Sequence, residues 1–273
     1  MIMRLALAPT LMRLALAAVI VVQALAPTPS LSSPLQGGVQ RHEATGSATE
    51  DDASAPSFVF PATVSAVDPR FRPHKLFADA ELPNQDSAEM WYRIPNWRAG
   101  HYHREQQVDH TFTGDVVMVS RVDHIYGMQR DRTGAIWHYS SWPHITKIDL
   151  DGVTEYKIIE RYEPIETTEH AYAVKVSSID IDVDDKTKRI KRVTKQLEVD
   201  RYTPGPNGIA YGESEWQGYT ADGNPNTQVE HSSMDEMQVE PFKVADKWRD
   251  KDLRSSFRNY LESHGLPDLI PLE

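Results

Sequence analysis

The chain has 273 residues, and 40% of them are apolar, which is enough to bury the core of one large domain or two small ones. It carries 40 acidic residues against 29 Lys and Arg, a formal charge of −11, which argues against nucleic acid and against charge-driven membrane binding. Cysteine is absent, which excludes disulfides, thiolate metal sites and cysteine nucleophiles.

Residues 1–26 have the order of an export signal. Arg13 precedes the continuous apolar run 14–22, and small residues follow at Ala24 and Ala26. The run is shorter than the roughly 20 residues that a transmembrane helix needs. We therefore expect an exported protein that is periplasmic, secreted or associated with the cell envelope.

Both ends of this signal leave alternatives open. The segment MRLALA occurs at residues 3–8 and again at 12–17, so Met12 is an alternative start. Pro27 directly after Ala26 disfavours cleavage there, and cleavage after Ala24 is the alternative. If neither bond is cut, the segment stays as an N-terminal anchor.

The next residues differ in composition from the rest of the chain. Residues 27–57 are rich in Pro, Ser, Gly, Thr and acidic side chains and lack periodicity, which predicts a disordered acidic linker. Residues 58–90 are rich in proline, and we expect irregular structure that wraps the domain. The folded domain is predicted to span residues 58–273.

Beyond Met90 the pattern predicts β-strands separated by Asp, Asn, Gly and Pro turns. The predicted strands are 100–107, 110–120, 122–130, 135–141, 144–149, 153–162, 168–183, 189–203, 208–220 and 227–240. Several exceed the usual strand length, so we expect an antiparallel meander that curls or closes.

One strand changes its apolar phase. Even-numbered positions are apolar over 172–176 and odd-numbered positions over 179–183, on either side of Ser177-Ser178. A one-residue phase change of this kind predicts a β-bulge at the serine pair.

The C-terminal segment predicts one helix over about 246–264. Leu253, Phe257 and Leu261 recur at helical spacing, and Gly265 with Pro267 marks the end. We expect this helix to pack across the sheet or to plug one end of a barrel.

Gly100-His101-Tyr102, with Trp97 nearby, resembles the Gly-x-Trp signature with which lipocalin-like barrels begin their first strand. Tyr takes the place of Trp here, and the resemblance covers about a dozen residues plus the number of strands. It implies a fold and no activity. The fold class expected from all these patterns is all-β, a curved antiparallel meander or lipocalin-like barrel with a C-terminal helix.

Histidines are dense between residues 101 and 144. On a strand, His101 and His103 project to the same side, and His110 is a candidate third ligand from the next strand. A divalent metal is the only cofactor that the sequence suggests, and exposed strand histidines without a metal are the more common outcome.

The predicted hairpin around Gly134 gives a candidate binding surface. With a loop of two or four residues, paired positions sum to 265, which places one set of side chains on one face. That set is His124, Tyr126, Met128, Trp137 and Tyr139. The face is either the wall of an apolar ligand cavity or a packed aromatic core.

These features leave three classes of function. The first is an exported binding protein that holds an apolar or amphipathic small molecule. The second is a structural or assembly component of the cell envelope or of an extracellular complex, with a protein partner. The third is a histidine-metal hydrolase, although no acid–base pair or nucleophile stands out in the sequence.

Overall fold

The computed structural model describes residues 58–111 and 114–272. The predicted export signal (1–26) and acidic linker (27–57) lie outside the described residues. No helix in the described ranges is long and apolar enough to cross a membrane.

Thirteen strands, one α-helix and five three-residue 3-10 helices make up the regular structure of the described residues. The strands and the α-helix are β1 (Ala88–Ile94), β2 (Gly100–Thr111), β3 (Gly114–Tyr126), β4 (Gln129–Arg130), β5 (Ile136–Trp142), β6 (His144–Leu150), β7 (Val153–Thr167), β8 (Tyr172–Asp184), β9 (Ile190–Pro204), β10 (Ile209–Thr220), β11 (Glu230–Pro241), β12 (Lys247–Trp248), β13 (Lys251–Asp252) and α1 (Leu253–Ser263).

Eight strands form one antiparallel sheet in the order β3-β2-β11-β10-β9-β8-β7-β6. Strands β6 to β11 form a continuous meander, and the β2–β3 hairpin extends the sheet along β11. The sheet curls into a half-barrel that has β3 and β6 as its edges, so the predicted curved antiparallel β-fold with a C-terminal helix is confirmed. Its strands reach 15 residues because Asp, Gly and Pro turns, rather than breaks within strands, reverse the chain.

A second, small sheet lies against the main one and has the order β1-β5-β4. Strand β1 falls partly inside the stretch that we expected to be irregular. The helix α1 packs on this small sheet, where its buried Leu253, Phe257 and Leu261 contact Trp91 and Trp137. The predicted helix therefore covers the small sheet.

The helix is shorter than predicted. Residues 247–252 form the tight β12–β13 hairpin, in which Arg249 has a positive φ of 52°. Asp252 then caps the helix by accepting a hydrogen bond from the Ser255 backbone N–H at 3.0 Å. The end of the helix agrees with prediction, since Gly265 takes a φ of 70° directly after the final turn.

The predicted bulge in the strand that is β8 is wrong. Its pairing with β9 keeps one register from Tyr172 to Asp182, so β8 itself stays in phase. The irregularity lies on β7, where Ile159 and Arg161 pair with consecutive β8 residues. The apolar phase of β8 changes because the two faces of the sheet are covered by different elements.

Those covering elements differ between the two ends of β8. At the Tyr172 end, side chains on the concave face pack in one cluster with Ile94 and Ile136 of the small sheet. At the other end, Ile181 on the convex face packs against Val67 and Phe71 from the irregular segment before β1.

Candidate functional site in a trough on the concave face

A cavity of about 740 Å³ lies on the concave face of the half-barrel, between the main sheet and the small sheet. We call it the trough. Strands β7, β8 and β9 supply its floor, and Tyr92 of β1 and His138 of β5 line it from the small sheet. The sequence produces this arrangement because alternate residues of neighbouring antiparallel strands project to the same face.

Register shows how the floor is built. Tyr172 pairs with Tyr202 across β8 and β9, and the next pair on the same face is Val174 with Asp200. One end of the floor is therefore aromatic, and the next pair of residues on that face adds the carboxyl group of Asp200.

Tyrosine rings dominate one part of the lining. They are Tyr92, Tyr126, Tyr139, Tyr162, Tyr172 and Tyr202. The rings of Tyr172 and Tyr202 stack with centroids 6.3 Å apart, and His138 lies 5.3 Å from Tyr92 and 6.0 Å from Tyr126. Burial raises the pKa of Tyr172 to about 12, so this wall carries neutral phenols at physiological pH.

A fully buried ion pair lies behind the aromatic wall. Arg98 Nη2 donates to Glu236 Oε2 at 2.6 Å. The guanidinium carbon of Arg98 is 3.7 Å from the centroid of Tyr126 and 3.8 Å from that of Tyr202. This cation holds two lining rings in position by cation–π contact.

Two lining histidines are neutral at physiological pH. Burial lowers the pKa of both His124 and His138 to about 4. His138 Nδ1 accepts the Gly127 backbone N–H at 3.1 Å, which fixes its tautomer with the proton on Nε2. The histidines therefore offer hydrogen bonds to the trough without adding positive charge.

The polar part of the floor contains two acidic residues on the same face of β9, Glu198 and Asp200. Glu198 Oε1 accepts a hydrogen bond from Ser214 Oγ at 2.9 Å. Burial, and then the neighbouring charge of Glu198, raises the pKa of Asp200 well above its usual value. Buried acids with strongly raised pKa values are typical of functional sites.

The structure separates the five residues of the predicted aromatic face. His124, Tyr126, Met128 and Tyr139 line the trough, whereas Trp137 does not. Met128, Trp137 and Tyr139 also belong to the core that packs against α1. The surface is thus part cavity wall and part packed core.

The predicted hairpin register is wrong by one residue. Gln129 pairs with Trp137 and Arg130 with Ile136, so paired positions sum to 266. The loop between them has an odd number of residues, because the buried Asp131 accepts hydrogen bonds from the Thr133 and Ala135 backbone N–H groups and shapes a wider turn. This register brings His138, rather than Trp137, to the trough.

The predicted metal ligands are only partly brought together. His101 and His103 share the convex face and both approach Asp123 Oδ1, at 3.4 Å and 2.9 Å. His110 lies roughly 23 Å further along β2, at about 3.3 Å per residue, and contacts Asp115 and Ser233 instead. Within the described ranges, no three His, Asp or Glu side chains are grouped so that they could hold a metal ion.

Sequence reasoning missed Tyr92, Arg98, Glu198 and Asp200. The alternation of β8 and β9 contained a signal for the last two, because they share a face with Tyr202. Tyr92 lies after the predicted irregular stretch 58–90 and before residue 100, where the first predicted strand begins. Nothing in the local pattern marks Arg98 as buried.

Comparison with known proteins adds no further assignment: no family model, no curated protein and no solved structure matches this chain.

Proposed function

We propose that this protein binds a small amphipathic molecule in the trough. The observation that carries the proposal is the volume of about 740 Å³ on the concave face. Small-molecule sites have volumes of roughly 300–1,000 Å³, whereas a packed core leaves few voids larger than a water molecule. A space of this size is expected where a ligand replaces the missing packing.

The chemistry of the lining supports an amphipathic ligand. Ile159, Val174 and Val176 give one stretch of the trough an apolar floor next to the tyrosine rings. Gln196 and Glu198 follow on the same face and offer hydrogen-bonding groups. A molecule with an apolar body and one polar end matches this order.

The test is binding of the neutral fluorescent probe N-phenyl-1-naphthylamine to the purified chain. Val176→Trp and Gln196→Trp each add a large side chain inside the trough. Val117→Trp is the matched control, since Val117 is exposed and the adjacent Val116 lines the trough. Circular dichroism and thermal melting establish that each variant is folded.

We expect saturable binding of one probe per chain. Each trough variant should weaken it at least tenfold, and the Val117→Trp control should leave it unchanged. Equal binding by the wild type and both folded trough variants would contradict the proposal.

We also propose that the protein works outside the cytoplasm, on the basis of the residues 1–26 alone. The test is mass spectrometry of the protein recovered from the fractions of its own cells. Cleavage after Ala24 or Ala26, or recovery of the chain outside the cytoplasm with its signal retained, supports export. Recovery of the uncut chain in the cytoplasm would contradict it.

A further inference from the structure

The polar end of the trough contains an acid with one buried oxygen that the protein leaves without a hydrogen bond. Asp200 Oδ1 is buried and has no hydrogen-bond partner among the described residues. Leaving a buried acceptor unpaired costs free energy, about 1–3 kcal/mol in typical proteins. Asp200 lines the trough, so a molecule bound there would lie beside this carboxyl group.

Acidic side chains outnumber basic ones in the lining of the trough. The described lining contains four carboxyl groups, Asp109, Glu198, Asp200 and Glu230. Besides Arg249, which is bound to Asp86 at 2.7 Å, the cationic lining side chains are Arg104 and Lys157.

One of these two cations already faces an acid beyond the trough. Lys157 lies directly opposite Asp180 across β7 and β8. Burial raises the pKa of Asp180, and the charge of Lys157 acts in the opposite direction. The trough therefore keeps an excess of carboxyl groups that its own cations do not match.

Aromatic rings adjoin the same acid. Val174 is the partner of Asp200 across β8 and β9, and Tyr172 lies two residues before Val174 on the same face. Tyr162 pairs with Val176, which in turn pairs with Glu198. Burial, and then the charges of Asp200 and Glu198, raises the pKa of Tyr162. Carboxylates beside aromatic faces are the surroundings that attract organic cations.

We infer that the ligand of the trough carries a positively charged amine, which binds at Asp200 and Glu198 while its apolar body lies against the tyrosine wall. This inference rests on the proposed function and narrows its ligand to cationic amphiphiles. An ammonium group would donate a hydrogen bond to Asp200 Oδ1 and would balance the excess of carboxyl groups.

The test compares n-octylamine, n-octanol and n-octanoate, which share one chain and differ in head-group charge. Each displaces N-phenyl-1-naphthylamine from the wild type, from Asp200→Asn and from Glu198→Gln. Asp235→Asn is the matched control, because Asp235 is exposed on the convex face of β11.

We expect octylamine to displace the probe at concentrations at least tenfold lower than octanol, with octanoate the weakest. Asp200→Asn should reduce the preference for the amine to about threefold or less, and octanol should be unaffected. The Asp235→Asn control should keep the full preference.

Two results would overturn the inference without touching the proposed function. One is displacement by octanol or octanoate at concentrations equal to or lower than those of octylamine. The other is an undiminished amine preference in both Asp200→Asn and Glu198→Gln. Failure of the probe to bind the wild type at all would instead overturn the proposed function, and the inference with it.

Discussion

Arg98 and Glu236 form an ion pair whose two side chains are both 0% exposed, with Arg98 Nη2 2.6 Å from Glu236 Oε2. Arg98 lies in the turn before β2 and Glu236 lies in β11. The pair therefore links two segments of the chain whose paired residues are 138 positions apart. Because it also stacks on two lining tyrosines, its integrity governs the shape of the trough.

Removal of one partner should be more damaging than replacement of both. Glu236→Ala leaves the Arg98 charge buried and unpaired, and we expect a loss of about 3–5 kcal/mol in the free energy of unfolding. The double variant Arg98→Met with Glu236→Leu should recover part of that loss. Urea denaturation measures both values, and a double variant less stable than Glu236→Ala would refute this role of the pair.

Asp131 organises the turn that sets the register of β5. Its side chain is fully buried and accepts hydrogen bonds from the Thr133 and Ala135 backbone N–H groups and from Trp137 Nε1. Asp131→Ala strands these buried donors, so unfolding free energy should fall by about 3 kcal/mol. Asp131→Asn keeps one acceptor oxygen, so its free energy of unfolding should lie between those of the wild type and Asp131→Ala. A loss below about 1 kcal/mol in Asp131→Ala would show that the turn forms without this carboxylate.

We expect Asp200 to lower the free energy of unfolding when no ligand is bound. Its raised pKa means that the folded chain holds this proton more tightly than the unfolded chain does, so ionisation destabilises the fold as pH rises above the unfolded value of about 3.9. Asp200→Asn should therefore raise the free energy of unfolding, by on the order of 1 kcal/mol at pH 8 and by less at pH 4. Denaturant titrations at both pH values test this, and a variant less stable than the wild type at pH 8 would argue against it.

His138 should weaken the fold in acid. Its folded pKa of about 4 lies below the unfolded value, so the unfolded state binds a proton first and stability falls as pH drops from about 6.5 to 4. His138→Gln keeps an acceptor for Gly127 and should lose about 2 kcal/mol less than the wild type between pH 7.5 and pH 4.5. The exposed His170→Gln is the control and should follow the wild-type profile. Parallel profiles for His138→Gln and the wild type would contradict a neutral buried His138.

Phe257 anchors α1 on the small sheet. Its ring lies 4.8 Å from Trp91 and 5.5 Å from Trp137 between ring centroids. Phe257→Ala opens a cavity in this core and should reduce the free energy of unfolding by about 3–5 kcal/mol. Asn259→Ala, on the exposed face of the same helix, should change it by less than about 0.5 kcal/mol. Similar effects for the two variants would mean that the helix contributes little to the fold.

The strands were predictable because alternation and turn chemistry are local properties of the sequence. Most predicted strands match observed ones to within a few residues, and the end of α1 at Gly265 follows from its own conformational freedom. Strand β1 was missed because its short pattern follows a proline-rich stretch, and it is a strand only through its pairing with β5.

The candidate site was less predictable because it depends on which element covers each face. Alternation places Val176 and Ile181 on opposite faces of β8, but only tertiary packing decides that both faces are buried, at different ends. The hairpin register depended on whether its loop had an odd or even number of residues. The buried hydrogen bonds of Asp131 decided that, and the local pattern does not show them.

Native mass spectrometry of the protein purified from the cells that make it tests the central claim most directly. We predict a population that carries one non-covalently bound small molecule, which leaves on denaturation. That molecule should be lost in Val176→Trp and retained in Val117→Trp. A bound molecule that folded Val176→Trp holds as well as the wild type does would place the ligand outside the trough and contradict the account.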